Sequence, residues 1–198
     1  MNGTGQTAAI YLVASRSGSI VSRAIGLVTG ARYNHVSISL DSTLETMYSF
    51  GRRRPSNPFW GGFVAEHPGR GTLARFPETW VRVLRLDVTA AQYRQIREHL
   101  ERMERNRARY GYNYKGLLLA AVNRPCPERD RYYCSEFVRE VLVRFGVAEG
   151  SRFGPVTQPQ QLLETLCEGT VIYEGLLTAC PMLRPKVLPF ARPMAAAS

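Results

Sequence analysis

An α+β domain with a central antiparallel sheet and flanking helices is what this 198-residue sequence predicts. Three observations point there. Strand-like alternation clusters between residues 36 and 88, helical apolar spacing falls before and after that block, and no internal repeat breaks the pattern. A chain of this length can bury a substantial core, so one domain is expected over residues 1–180, followed by a loose, Pro-rich tail over 181–198.

Residues 8–14 (AAIYLVA) form a compact apolar run closed by a Ser/Gly turn, a buried strand. Ile20, Val21, Ala24, Ile25 and Val28 fall at helical spacing, and Gly30 suits the position that ends such a helix. Val36, Ile38 and Leu40 alternate with Ser37 and Ser39, a half-buried strand; the Asp41-Ser42-Thr43 turn then returns the chain through 44–50 as a hairpin. Residues 51–79 are rich in Gly, Pro and Arg, with one short strand expected near Phe63-Val64-Ala65. Residues 80–88 alternate apolar side chains with Arg82 and Arg85, a further strand. Thr89 is a good N-cap for a helix reaching Asn106, with Tyr93, Ile96, Leu100 and Met103 as its inward stripe. The segment 116–122 is short and almost wholly apolar, hence a helix expected to be buried. An amphipathic helix over 134–145 turns Phe137, Val138, Val141, Leu142 and Phe145 inward and stops at Gly146. A helix over 158–167 and a closing strand over 170–173 complete the series.

The formal charge is +10, and of 26 basic residues only Lys115 and Lys186 are lysines. Such a surface favours anionic partners: phosphates, nucleic acid, acidic lipid headgroups or carboxylate-bearing substrates. A bias of base composition toward Arg explains the same count equally well. Cys126, Cys134, Cys167 and Cys180 show no C-x-x-C and no repeating frame, so neither a zinc site nor any other metal is expected. The first residues carry no basic leader, and the apolar stretch behind them is broken by Arg16, so a soluble, cytoplasmic protein with reduced thiols is expected. Gly61-Gly62 lacks a following Gly-Lys-Ser/Thr, and no cofactor is expected.

Two segments carry chemistry. Tyr132-Tyr133-Cys134-Ser135-Glu136-Phe137-Val138 sets a cysteine at the mouth of an amphipathic helix, where unpaired N–H groups and the macrodipole favour a thiolate. Tyr33-Asn34-His35-Val36-Ser37-Ile38 sets a histidine at the head of a strand. An imidazole within reach takes the thiol proton and returns it to a leaving group. Cys134 and His35 therefore read as nucleophile and base, whereas His67 in a Pro/Gly loop and His99 on a charged helix face read as ordinary surface residues. Glu136, three residues after Tyr133, reads as a capping-box partner at the helix start.

With those residues in place, the chain resembles the circularly permuted branch of the NlpC/P60 superfamily, papain-like thiol hydrolases and acyltransferases in which the histidine strand precedes the cysteine helix. The matching pieces are the segment GARYNHVSISL (30–40), the aromatic run 110–114 and Tyr133-Cys134-Ser135-Glu136-Phe137-Val138, within a likeness covering residues 8–175. The resemblance implies a papain-like fold, catalysis by Cys134 and His35, and an acyl pocket lined by Tyr112 and Tyr114. Family members carry a polar cap just before the cysteine; here Tyr132-Tyr133 stand there, leaving Ser135 or Asp130 to cap. The imidazole-orienting residue is expected on the next strand, which offers Glu45, Tyr48 and Ser49. A two- or three-residue hairpin turn would set Tyr48 or Ser49 opposite His35, but a carboxylate orients an imidazolium best. We assign Glu45 to the role, with Tyr48 as its rival and a substrate-binding candidate.

The function expected is a cysteine hydrolase of amidase or peptidase type acting on a small peptide-like or acyl substrate through an acyl-enzyme. The alternative is lipid acyl chemistry of the lecithin:retinol acyltransferase-like kind on an anionic membrane surface. A module of another class, holding RNA through the Arg/Tyr run 105–114, is weaker, because no RNA-binding motif accompanies that run and acidic residues are spread through the same helix.

Overall fold

The computed structural model describes residues 7–16, 32–54 and 57–183. The helix expected over residues 20–28, with Gly30 at its end, lies outside the described residues, as does the tail from 184. The strands are β1 (Thr7–Arg16), β2 (His35–Ser39), β3 (Met47–Arg54), β4 (Asn57–Glu66), β5 (Trp80–Thr89), β6 (Gly111–Tyr112), β7 (Arg131–Tyr132) and β8 (Thr170–Leu176). The helices are α1 (Gly71–Ala74), α2 (Ala90–Arg105), α3 (Tyr114–Ala120), α4 (Cys134–Arg144) and α5 (Pro159–Thr165). All eight strands join one sheet in the order β7-β6-β4-β3-β2-β1-β5-β8. Neighbours are antiparallel except β6 and β7, which run parallel, so the fold is α+β around a large mixed sheet.

Alternation along the strands builds a core on each face. Ile10, Leu12, Ala14, Val36, Ile38, Phe50 and Phe63 point to one side, where Ile96, Leu100 and Met103 of α2 and Phe137, Val138, Val141 and Leu142 of α4 cover them. Val13, Met47, Val81 and Val83 point to the other, under Leu73, Leu177 and Cys180. The four inward residues of α4 are at most 1% exposed. Full burial contributes about 2 kcal/mol per such side chain, which fixes that helix, and Cys134 with it, against β2 and β3. Its far end closes at Gly146, where φ of +65° suits glycine.

Local sequence explains most elements. Thr89 caps α2 as expected: its Oγ1 accepts from Gln92 N at 3.2 Å while Thr89 N donates to Gln92 Oε1 at 2.9 Å. Three expectations need correction. Residues 51–54 and 57–66 belong to β3 and β4 where only a short strand was expected, since ladder pairing between the two overrides a Gly- and Arg-rich composition. The β2–β3 connection spans residues 40–46 and holds Leu44 at φ 54°, longer than a two- or three-residue turn. Tyr48 therefore pairs with Ile38, and the register runs on to bring Gly51 opposite His35. Finally, α3 is not a buried helix: Gly116 and Ala120 face inward, but Leu118 is 74% and Val122, just beyond it, 65% exposed. No described helix is long and apolar enough to cross a membrane.

Candidate active site

The site lies where the head of β2 meets the first turn of α4. Tyr33, 2% exposed, anchors the approach to β2: its hydroxyl donates to Glu174 Oε1 at 2.9 Å, and Asn34 N donates to Ser15 O at 3.1 Å. His35 then starts the strand opposite Ser15. The α4 helix begins at Cys134, with Tyr133 at its N-cap. Tyr133 N donates to Glu136 Oε2 at 3.2 Å, the carboxylate half of a capping arrangement. Neither Ser135 nor Asp130 stands at the cap position; Asp130 instead accepts from Arg109 Nε at 3.0 Å. The polar cap is replaced by the Glu136 carboxylate reaching back.

Cys134 and His35 are brought together: the cysteine side chain lies within hydrogen-bonding reach of the imidazole. A carboxylate also meets the imidazole: Glu66, at the end of β4. His35 Nε2 lies 3.0 Å from both carboxylate oxygens, and Ser37 Oγ donates to Glu66 Oε2 at 2.6 Å. With Nε2 held by Glu66, Nδ1 is the ring nitrogen left for the sulfur. Burial disfavours the imidazolium, but the Glu66 charge and the hydrogen bonds the ring makes to Cys134 and Glu66 outweigh it, so the His35 pKa is raised well above 6.5. Burial likewise opposes the Glu66 carboxylate, and the His35 charge with the His35 and Ser37 hydrogen bonds reverses it, leaving that pKa below 4.5. The two shifts describe one event, a proton held on His35 against an ionised Glu66.

Glu45 is not brought to His35. It sits in the turn before β3, six residues short of Gly51 and roughly 20 Å away along an extended chain. Its carbonyl accepts from His67 Nδ1 at 2.7 Å. Tyr48 is also elsewhere: it stacks on Phe63 on the α2 side, and its hydroxyl donates to Glu104 Oε2 at 3.4 Å. Glu66 lies one strand beyond the one expected to carry the orienting residue, and one position past the short strand expected at Phe63-Val64-Ala65. The signal available was the continued alternation Gly62, Val64, Glu66 along one face, the face that also carries Ser49 and Ser37.

Tyr112 and Tyr114 do belong to the neighbourhood. Burial raises the Tyr112 pKa well above its ordinary value, and the nearby Cys134 adds to the shift. The two rings lie 4.7 Å apart between centroids. Gly61 permits this: a Cβ there would fall 2.7 Å from the Tyr114 hydroxyl and 2.8 Å from Tyr112 Cβ. Cys134 itself is 4% exposed and the His35 side chain 24%, so the open side of the pair is the imidazole.

The Arg/Tyr run 105–114 is engaged internally: Tyr110 packs on Phe63, and Arg109 pairs with Asp130. Arg53 gives its guanidinium to the carbonyls of Arg107 and Tyr110. All four cysteines are free thiols, and among the described residues no cluster of His, Cys, Asp or Glu could hold a metal ion. The chain matches no family model, no curated protein and no solved structure.

Proposed function

We propose that this chain is a papain-like thiol hydrolase or acyltransferase of the permuted NlpC/P60 kind, with Cys134 as nucleophile, His35 as proton carrier and Glu66, in place of Glu45, as the orienting carboxylate. The observation that carries the reading is the line Cys134–His35–Glu66, joined at both ends and set at a helix start. An imidazolium beside a thiol favours the thiolate, the form that attacks. The sulfur adds to an amide, ester or thioester carbonyl carbon. The N–H groups of Cys134 and Ser135, in the first turn and without intrahelical acceptors, stabilise the oxyanion, at a few kcal/mol per donor. As the tetrahedral species collapses, the imidazolium gives its proton to the leaving group and the acyl group stays on sulfur. The neutral imidazole then takes a proton from the acceptor, water or a second substrate, whose oxygen or nitrogen releases the acyl group. Glu66 holds the ring and balances its charge, and Ser37 holds Glu66.

Incubation with a p-nitrophenyl ester followed by intact-protein and peptide mass spectrometry tests this. An acyl adduct at Cys134, absent in a folded Cys134→Ala variant, is expected. Equal labelling of Cys126 or Cys167, or no adduct on any cysteine, would falsify the proposal.

A further inference from the structure

One cation lies on the same side of the sheet as the thiol. Phe50 and Phe63 pair across β3 and β4, and both meet Phe137 of α4, with ring centroids 5.1 and 5.8 Å away. That side of the ladder therefore faces the helix that carries Cys134. Two residues further along each strand, Arg52 pairs with Gly61, and alternation returns both to the Phe50 side. Gly61 shows the direction directly, since a Cβ there would meet Tyr112 and the Tyr114 hydroxyl. Tyr112 packs in turn on the core cluster that contains Cys134, Phe50 and Phe137. Arg52, the tyrosine pair and the cysteine thus share one side of the sheet.

Their order follows from the charges each ring feels. Tyr112 feels Cys134, whereas burial raises the Tyr114 pKa and the Arg52 charge works against that rise. The two rings stand 4.7 Å apart between centroids, so they lead from the sulfur toward the guanidinium. Arg52 is half-buried, and among the described residues no carboxylate lies within ion-pair distance of it. Its neighbours are different: Arg53 spends its guanidinium on the carbonyls of Arg107 and Tyr110, and Arg54 is exposed. A guanidinium partly withdrawn from water and lacking a counter-charge suits an anion, which its planar fork of N–H donors grips at two oxygens.

We infer that Arg52 holds an anionic group of the substrate, a carboxylate or a phosphate, with Tyr112 and Tyr114 spanning the interval back to the Cys134 sulfur. The inference rests on the thiol chemistry proposed above and adds the charge that the substrate carries. The test compares p-nitrophenyl hexanoate, octanoate and decanoate with the p-nitrophenyl monoesters of adipic, suberic and sebacic acid, which match them in length and end in a carboxylate. At the best length, kcat/KM for acylation of Cys134 should favour the carboxylate-ended ester about tenfold or more. That ratio should fall to about one in Arg52→Gln and be kept in part by Arg52→Lys, with circular dichroism confirming that both are folded. Binding of benzoate, phenyl phosphate and neutral benzamide to Cys134→Ala, followed by NMR, reads the same site without acylation. Tighter benzoate marks a carboxylate site and tighter phenyl phosphate a phosphate site. Acylation without charge preference at any length, or an anion preference unchanged in Arg52→Gln, overturns the inference and leaves the thiol chemistry standing. No acyl adduct from any ester, with anion binding still lost in Arg52→Gln, overturns the thiol chemistry and leaves the anion site. Loss of both overturns both.

Discussion

Consider His35 and His99 side by side. Both are partly withdrawn from water, and in both burial pushes against the charged ring. His99 meets the edge of Phe145 with ring centroids 5.3 Å apart, and beyond its burial it faces the cations Arg144 and Arg102, so its pKa falls to about 4. His35 meets Glu66 and Cys134, and its pKa rises. Burial alone therefore says nothing of what a histidine is for. The sign of the neighbouring charge separates a ring packed neutral beside arginines from one held protonated beside a thiol.

The comparison can be broken most sharply at His35. His35→Ala should slow acylation of Cys134 about 100-fold or more, while His99→Ala leaves the rate within about twofold. Equal effects in stopped-flow assays would remove the distinction. Next in size, Glu66→Gln keeps the shape of the pair but removes its charge. The acylation rate should fall about tenfold, and the His35 titration followed by NMR should move to lower pH, with Glu45→Gln changing neither.

Stability sharpens the contrast further. The raised His35 pKa contributes stability that is complete below about 6.5 and lost as pH climbs through the raised value. The lowered Glu66 pKa contributes stability complete above about 4.5 and lost as pH falls through the lowered value. Removing one partner alone, as in Glu66→Ala, should cost about 1–3 kcal/mol, since both side chains keep some exposure. In urea melts, the deficit of a His35→Gln/Glu66→Gln double variant should peak between about pH 4.5 and 6.5. His99 runs the other way: its neutral form supports the fold fully above about 6.5 and loses ground as pH falls toward 4. His99→Leu should gain on wild type across that interval, by about 1 kcal/mol after solvent screening, the smallest effect of the series. A flat difference would mean Arg144 and Arg102 do not act on the ring.

The places of Cys134 at a helix start and His35 at a strand head were legible from local pattern, since each is written in a few consecutive residues, whereas Tyr112 and Tyr114 were singled out only through the family resemblance. Glu66 was not legible. Its place beside His35 depends on β4 continuing past Ala65 and on the register that sets β2, β3 and β4 side by side, and register follows from pairing partners rather than from any one strand. The same dependence displaced Tyr48, because the long connection around Leu44 shifted its partner to Ile38. Exposure of Leu118 and Val122 was hidden for a further reason. An apolar run says that a helix avoids water on average, yet α3 buries only Gly116 and Ala120 among its residues.

Asn113 is wholly buried; its Oδ1 accepts from Gly116 N at 2.7 Å, and its Nδ2 donates to Cys126 O at 2.8 Å and to Glu136 Oε2 at 3.3 Å. One amide thus cinches the neck of the excursion from α3 to α4. Chain inserted at the exposed stretch 121–125 would lengthen a loop whose base is already tied, and each doubling of a loop costs only about 0.6 kcal/mol. That stretch is where a reporter peptide can be spliced in while Cys134 and the neighbouring tyrosines stay in step.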